Sequence, residues 1–138
     1  MSTPYKFLIF VLLFVASISI NPIYVQAHSG KKDNIKIDYC YDGDTCTSSK
    51  GEKIRLACID APELKGPRAN PKKAKAARDY LSRLISDKRI RIHRITKDRY
   101  GRTVGELFAG ELNIQEQMIR DGFAKIYEKY AFQCGWSK

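Results

Sequence analysis

The chain has 138 residues, of which 25 are lysine or arginine and 15 are aspartate or glutamate, so its net charge is +10 at pH 7. A chain of this length has room for one small domain with one core, which excludes a multidomain architecture. The positive charge favours a polyanionic partner such as DNA, RNA or an anionic surface. A charge that serves only solubility is the alternative.

The first residues have the pattern of an export signal. Lys6 precedes an apolar run over residues 7–20, which has 14 residues and is shorter than the ~20 residues that span a bilayer. We therefore expect a signal peptide at residues 1–27, with cleavage after Ala27, and a secreted protein without stable membrane association. Removing those 27 residues leaves 111 residues with a net charge of +9, because the signal holds one basic and no acidic side chain. The polar residues 28–34 predict a disordered leader.

All four cysteines follow the expected signal peptide. An even number of cysteines in an exported protein predicts two disulfides, and four cysteines allow three pairings. A zinc site is disfavoured, because the spacing is not C-x-x-C and His28 and His93 are the two histidines of the chain. The cysteines are Cys40, Cys46, Cys58 and Cys134.

The first half of the expected domain has the pattern of three short strands. Asp42 and Gly43 form a dipeptide that is typical of tight hairpins. Pro62 cannot donate a hydrogen bond to a sheet, so the third strand should end before it and present Asp60 and Glu63 on the following turn. The predicted strands cover residues 35–39, 45–48 and 53–59.

The second half predicts two helices and two further strands. From residue 72 apolar residues recur every three or four positions, which predicts a helix beginning near Pro71, with a solvated basic face. Asn113 should cap the second helix and Gly122 should end it. His93 is a lone histidine among basic residues, and we expect a structural role for it. The strands are expected at residues 89–95 and 102–108, the second helix at 114–121, an extended segment at 123–126 and an irregular tail at 127–138.

This order of elements predicts a mainly β fold. Five short strands with one helix between the third and fourth strands match a five-stranded Greek-key β-barrel of the OB-fold type, with a second helix after the last strand. An open α+β sheet is the alternative, and the barrel is favoured because closure removes unprotected edges from short twisted strands. The domain should cover residues 35–130 and be followed by a short tail at residues 131–138.

Three motifs in this order resemble the staphylococcal nuclease (thermonuclease) family. They are DGDT at residues 42–45, IRLACIDAPE at residues 54–63 and DRYGR at residues 98–102, followed by RDGFAKIY at residues 120–127. The resemblance covers about residues 35–130. It implies a Ca2+-dependent nuclease that hydrolyses phosphodiester bonds of DNA and RNA and leaves 3′-phosphate ends, and we expect it to be a monomer.

The resemblance also implies roles for individual residues. Arg55 and Arg102 would grip the phosphate, and Glu63 would be the base that activates or orients the attacking water. The expected Ca2+ ligands are Asp44, Asp60 and the backbone carbonyl of Ala61, a position where the family often has threonine. The expected contacts to the nucleotide are Arg99, Tyr100, Tyr127 and Tyr130, and packing of the barrel rim is the alternative role for these tyrosines.

The residue types suit this chemistry on physical grounds as well. Calcium is a hard cation that prefers carboxylate and carbonyl oxygens. Arginine binds phosphate oxygens through two parallel hydrogen bonds and stays charged at any working pH. A nucleic-acid-binding OB-fold protein without catalysis is the alternative function, and the presence of all the implied acids and arginines favours the enzyme.

The resemblance also implies a third helix after the tyrosines, whereas here residues 131–138 follow. We hypothesise that Cys134 ties this tail to Cys58 through a disulfide, with Trp136 packing beside it. Cys40 would then pair with Cys46 across the DGDT hairpin. An unstable or inactive shortened protein is the alternative.

Overall fold

The computed structural model describes residues 33–138. The expected signal peptide and residues 28–32 of the expected leader lie outside the described residues. The prediction of a disordered leader is wrong for Asp33 and Asn34, which form the start of a strand and pair with residues 91 and 92.

The described chain forms short strands, two α-helices and two 3₁₀ helices. The strands are β1 (Asp33–Ile35), β2 (Ile37–Cys40), β3 (Thr45–Ser48), β4 (Lys53–Leu56), β5 (Ile59–Asp60), β6 (Ile90–Lys97), β7 (Thr103–Ala109), β8 (Leu112–Asn113) and β9 (Lys125–Ile126). The helices are α1 (Pro71–Ile85) and α2 (Ile114–Arg120), and the 3₁₀ helices are Glu128–Gln133 and Gly135–Ser137. The tail that was expected to be irregular is therefore mostly 3₁₀ helix.

The main sheet curls around the larger of two buried apolar clusters. Its strand order is β1-β6-β7-β4-β3-β2, with β8 paired to β7. β1 and β2 lie at opposite ends of this order, yet Lys36 alone separates them in the chain, so one stretch of chain holds both ends of the sheet. β4 and β7 pair in parallel, and the other pairs are antiparallel. This topology confirms the Greek-key fold of the OB type and excludes the open sheet.

The predicted third strand is interrupted, which is a correction. β4 ends at Leu56, and the chain turns at Cys58, whose φ is +64°. β5 then pairs with β9 in a separate two-stranded sheet. The prediction of one continuous strand over residues 53–59 is therefore wrong, since regular alternation along a strand does not continue through a left-handed residue.

The core lies between the inner face of the sheet and the two helices. Apolar side chains from β4, β6, β7, α1 and α2 are fully buried there, among them Ile54, Leu56, Leu81, Ile90, Ile92, Leu107, Ile114 and Met118. Burial of each of these large side chains contributes about 1.5–3 kcal/mol. Gly43 lets the β2–β3 hairpin approach this core, since a Cβ there would lie 2.7 Å from the Cβ atoms of Ala61 and Ala77.

Side-chain caps fix both helices where the sequence predicts them. The Asn70 side chain accepts a hydrogen bond from the Lys73 backbone at 3.1 Å, and Pro71 is the first residue of α1. The Asn113 side chain accepts from Gln115 N at 3.0 Å and so caps α2. Within residues 33–138, neither helix has the length and the apolar character needed to span a bilayer.

Two disulfides hold the hairpin and the tail, in the pairing that the sequence favoured. Cys40 and Cys46 are opposite each other on β2 and β3 and form one bond, with Cα atoms 3.9 Å apart. Cys58 and Cys134 form the other, across 76 positions of sequence. Trp136 lies beside this second bond, and its indole N–H donates to Glu106 Oε1 at 2.7 Å.

Candidate active site

Two carboxylates converge on one arginine at the mouth of the β2–β3 hairpin. Asp44 lies one residue before β3, Arg55 lies in β4, and Asp60 ends β5. Arg55 Nη2 lies 3.2 Å from Asp44 Oδ2 and 4.0 Å from Asp60 Oδ1. Arg55 Nη1 donates to the Leu56 carbonyl at 2.7 Å, which fixes the direction of the guanidinium. The two carboxylates and the arginine therefore share one small volume.

Asp44 is the most deeply buried acid of this cluster, with 6% of its surface exposed. Its Oδ2 accepts the Ala61 backbone N–H at 2.8 Å, and its Oδ1 accepts the Thr45 hydroxyl at 3.0 Å. Burial raises the pKa of Asp44 to about 6, although the positive charge of Arg55 acts in the opposite direction. The cluster thus contains a buried carboxylate whose negative charge is only partly compensated.

Arg102 is held by its own loop. Asp98 Oδ2 accepts from Arg102 Nε at 2.7 Å, and Asp98 Oδ1 accepts from the Tyr100 and Arg102 backbone N–H groups, both at 2.9 Å. Burial raises the pKa of Asp98, but the hydrogen bonds from Arg102 and Tyr100 outweigh it and hold that pKa below its ordinary value. The resulting loop presents an Arg102 side chain of fixed orientation.

One cavity, which we call the site cavity, brings most of the expected site residues together. Its volume is about 450 Å³, and it includes five residues that the sequence singled out for catalysis or cation binding and two of the tyrosines. Glu63 is exposed in it and therefore open to water. These seven residues are Asp44, Arg55, Asp60, Glu63, Tyr100, Arg102 and Tyr127.

A second cavity, which we call the tyrosine cavity, adjoins the first. Its volume is about 480 Å³, and it shares Arg55, Tyr100, Arg102 and Tyr127 with the site cavity. Arg99 and Tyr130 line the tyrosine cavity and not the site cavity. Tyr100 is 68% exposed, whereas Tyr127 and Tyr130 are 37% and 38% exposed and contact each other edge to face, so packing at the barrel rim accounts for much of the surface of these two.

The donor set around Asp44 suits a hard cation, although it is incomplete. Asp44 and Asp60 offer carboxylate oxygens to the same space, and Ala61 is held against Asp44 by its own N–H. Within residues 33–138 no group of three or more His, Cys, Asp and Glu side chains is placed to hold a metal. Ala61 itself does not line the site cavity, but two carboxylates with water and one carbonyl from a neighbouring residue are a set that calcium accepts, so the two acids fit this ion.

Two contacts of this site were not predicted from the sequence. Arg102 had no predicted partner, and Asp98 is that partner. Asp42 was predicted only as part of the tight hairpin, and its Oδ1 also accepts the Asp44 backbone N–H at 3.1 Å. The motif DRYGR contained a signal for the first of these, because an acid four positions before an arginine is well placed to pair with it across a tight turn.

Outside the site, His93 has a structural environment. Its Nδ1 lies 2.9 Å from Glu106 Oε2, and Glu106 also accepts from Trp136. β6 and β7 pair these two residues directly, so a carboxylate that is distant from His93 in sequence is its neighbour in space. Neither residue lines the site cavity or the tyrosine cavity.

The chain is similar in sequence to proteins that are named as nucleases. A sequence model of the family described as "Staphylococcal nuclease homologue" matches residues 53–135. An "Uncharacterized endonuclease" of Haemophilus influenzae is 36% identical over 111 residues, which cover 78% of this chain and 60% of that protein. A "Probable staphylococcal-like nuclease CAN2" of Oryza sativa subsp. japonica is 36% identical over 106 residues, which cover 75% of this chain and 27% of that protein.

A further relative, an "Uncharacterized endonuclease" of Escherichia coli O157:H7, is 36% identical over 93 residues, or 64% of this chain and 58% of that protein. The chain therefore spans less than two thirds of the length of these relatives and about a quarter of the rice protein.

Proposed function

The chain belongs to the staphylococcal nuclease family, and from that premise we propose that it is a nuclease that hydrolyses phosphodiester bonds of DNA and RNA. We further propose that it depends on Ca2+, leaves 3′-phosphate ends, acts as a monomer, and is secreted without stable membrane association. The printed names of its relatives, endonuclease and staphylococcal-like nuclease, support the reaction class. The apolar run after Lys6 supports export.

One observation carries the proposal: a single cavity holds two converging carboxylates, an exposed glutamate and two arginines of fixed orientation. Hydrolysis of a phosphodiester needs a water that loses a proton, a counter-charge for the phosphate and an orientation for the attack. Glu63, the two arginines and the rigid β-barrel match these three needs.

In the proposed reaction, Glu63 accepts a proton from the attacking water. Its exposure leaves room for that water beside the carboxylate. General-base assistance of this kind is worth about 10²–10⁴-fold in rate.

Arg102 binds a phosphate oxygen and opposes the negative charge that develops on the phosphoryl group. Asp98 occupies its Nε and leaves its Nη atoms available in the cavity. Arginine matches phosphate oxygens in pairs, so a fixed guanidinium selects one orientation of the phosphate. Loss of Arg102 should therefore reduce turnover more than binding.

Arg55 has to exchange partners before it can bind phosphate. Its Nη2 faces Asp44 and its Nη1 is used by the Leu56 carbonyl. A calcium ion held by Asp44, Asp60 and the Ala61 carbonyl would polarise the phosphoryl oxygen. Arg55 binds the phosphate through Nη2 once Asp44 no longer holds that atom.

The tyrosine cavity supports nucleotide binding next to the cleaved bond. It combines the exposed rings of Tyr100, Tyr127 and Tyr130 with the cations Arg99 and Lys129. Arg99 lies over the Tyr100 ring, with 4.7 Å from its Cζ to the ring centroid. Aromatic rings between cations are the usual composition of sites that stack bases and pair phosphates.

The test uses the purified, oxidised protein on plasmid and single-stranded DNA and on RNA, with Ca2+ and with chelator. Glu63→Ala and Arg102→Ala should each lower the rate at least about 100-fold. Glu111→Gln and Arg89→Ala are matched controls, because they remove the same charges from exposed positions outside the site cavity, and they should cut like the wild type.

Each other outcome has a definite meaning. Tight, salt-dependent binding without cutting, by a protein whose circular dichroism is that of a folded chain, would replace the enzyme with a nucleic-acid-binding protein. Cutting in chelator would contradict the calcium dependence, and product ends that a 3′-phosphatase does not change would contradict the 3′-phosphate. Extracellular protein whose N-terminus is His28 would support secretion.

A further inference from the structure

A third cavity adjoins the site cavity, and we call it the helix cavity because the start of α1 lines it. Its volume is about 350 Å³. It shares Asp60, Glu63 and Arg68 with the site cavity, and it shares no residue with the tyrosine cavity. The three cavities therefore follow one another in the order tyrosine cavity, site cavity, helix cavity, with the two carboxylates Asp60 and Glu63 at the second boundary.

Three cations face the helix cavity, namely Arg68, Lys73 and Lys125. All three are exposed, and no acidic side chain among residues 33–138 forms an ion pair with any of them. By contrast, arginines elsewhere in the barrel, such as Arg91, Arg94 and Arg102, are paired with acids. A group of unpaired cations beside a phosphodiester-binding site indicates room for further phosphates.

The backbone around two of these cations is well fixed. Lys73 lies in the first turn of α1, and its N–H is bound by the Asn70 cap. Lys125 lies in β9, opposite Asp60 of β5. Both cations thus project from ordered elements that also carry, or lie next to, the residues of the site.

The aromatic side chain of the helix cavity is fixed as well. Phe123 lines it and is half-buried. Its ring stacks on Tyr80 with centroids 4.2 Å apart and an interplanar angle of 14°. A fixed aromatic ring next to several unpaired cations is the composition with which proteins hold single-stranded nucleic acid.

We infer that the helix cavity binds backbone phosphates of the same nucleic-acid strand, on the flank of the cleaved bond that the tyrosine cavity does not hold. The inference rests on the proposed function, because it extends the same groove past Asp60 and Glu63. The ligand class is a polynucleotide longer than the segment that the first two cavities hold. Lys73 and Lys125 then act in binding, and neither takes part in the chemistry.

The test measures binding of fluorescently labelled oligothymidylates of two and sixteen nucleotides by anisotropy, in chelator and over a range of salt concentrations. The variant is Lys73→Ala/Lys125→Ala. Its matched control is Lys72→Ala/Lys75→Ala, which removes two exposed lysines of α1 that line none of the three cavities.

For the 16-mer, we expect Lys73→Ala/Lys125→Ala to lower affinity about tenfold and to reduce the slope of log K against log salt by about 1.4, which corresponds to two phosphate contacts on a single strand. The control and the dinucleotide should show neither change. Equal losses in variant and control, equal losses for both lengths, or no loss would each overturn the inference.

These outcomes are separate from those that test the proposed function. A wild type that cuts, with variants that bind the 16-mer as tightly as it does, would overturn the helix cavity alone. A wild type that does not cut but shows the length-dependent loss would overturn the enzyme and support the helix cavity. A wild type that binds neither oligonucleotide and does not cut in Ca2+ would overturn both. Circular dichroism of each variant excludes unfolding as the cause of a loss.

Discussion

Two charged clusters lie close together in the chain, one around Glu52 and one around Asp44 and Arg55, and their charges are compensated to different degrees. Glu52 accepts two hydrogen bonds from Arg94, at 2.9 and 2.8 Å, and one from Thr103 at 2.8 Å. These contacts lower the pKa of Glu52 to about 2, with the hydrogen bonds from Arg94 as the largest cause. In the other cluster, burial raises the pKa of Asp44 to about 6 in spite of Arg55.

The difference separates a stabilising ion pair from a binding site. In the Glu52 cluster the ionised carboxylate is more stable in the folded protein than in water. The cluster therefore stabilises the fold at neutral pH. In the Asp44 cluster the ionised carboxylate is less stable in the folded protein than in water, because burial outweighs Arg55. An additional positive charge beside Asp44 would therefore be stabilising. Strongly perturbed groups of the second kind concentrate at functional sites.

The largest loss in the free energy of unfolding is expected from removing the disulfides next to the site. Cys58→Ala/Cys134→Ala should lower the free energy of unfolding by about 4.5 kcal/mol, as chain entropy predicts for a loop of 76 residues. The Cys40–Cys46 bond closes a loop of only six residues, so Cys40→Ala/Cys46→Ala should lower the free energy of unfolding by about 2.2 kcal/mol. Urea denaturation of both variants, followed by far-ultraviolet circular dichroism, measures the two values.

The two disulfide variants are each other's control, because both remove one covalent bond next to the site. Equal losses would show that loop length does not determine the effect. The tail would then be held mainly by packing and by the hydrogen bond from Trp136 to Glu106. The ion pair between Glu52 and Arg94 involves neither disulfide, so it should persist in both variants.

The next effect separates activity from stability at Asp44. Asp44→Asn should lower the cutting rate by at least about 100-fold, because a neutral amide is a poorer ligand for a hard cation than a carboxylate. It should at the same time raise the free energy of unfolding at pH 7, because the raised pKa means that folding disfavours the ionised side chain. Arg55 keeps the Leu56 carbonyl and Asp60 as partners.

Activity assays in Ca2+ and urea denaturation at pH 7 measure the two effects of Asp44→Asn. A lower stability at pH 7 would mean that the pair with Arg55 outweighs burial, and the contrast with Glu52 would then disappear. Unchanged activity would remove Asp44 from the cation ligands.

The sequence predicted those parts of the fold and the site that local chain chemistry determines. The Asp-Gly hairpin, the end of β5 before Pro62 and the Asn113 cap each depend on a few adjacent residues. Such features follow from steric limits and nearby hydrogen bonds, which any sequence segment carries with it. The motifs also placed most of the expected catalytic residues in one cavity.

The parts that the sequence did not predict depend on contacts between distant segments. The break in the third strand at Cys58 is held by the Tyr127 N–H, which donates to the Cys58 carbonyl at 2.8 Å, and by the bond to Cys134. The neighbour of His93 is Glu106 on the adjacent strand. Periodicity in a single segment contains no information about these partners.

The smallest expected change in the free energy of unfolding comes from the Glu52 cluster. It is a loss of stability, opposite in sign to the gain expected for Asp44→Asn. Glu52→Gln should lower the free energy of unfolding at pH 7 by about 2 kcal/mol, which is less than the full pKa shift implies because a quarter of the side chain is exposed. The contribution of ionised Glu52 is complete above about pH 4.5 and is lost as pH falls towards 2. Denaturation curves between pH 2 and 7 measure it.

Comparison of the two variants across pH tests the contrast itself. Relative to the wild type, Glu52→Gln should lose its deficit in stability as pH falls from 4.5 to 2, whereas Asp44→Asn should gain its advantage as pH rises from about 4 through 6. As pH rises, the stability of Glu52→Gln relative to the wild type therefore falls between about pH 2 and 4.5, and that of Asp44→Asn rises between about pH 4 and 6. Curves of the same sign would show that both clusters are ordinary ion pairs, and the demand for positive charge at Asp44 would no longer support a cation site.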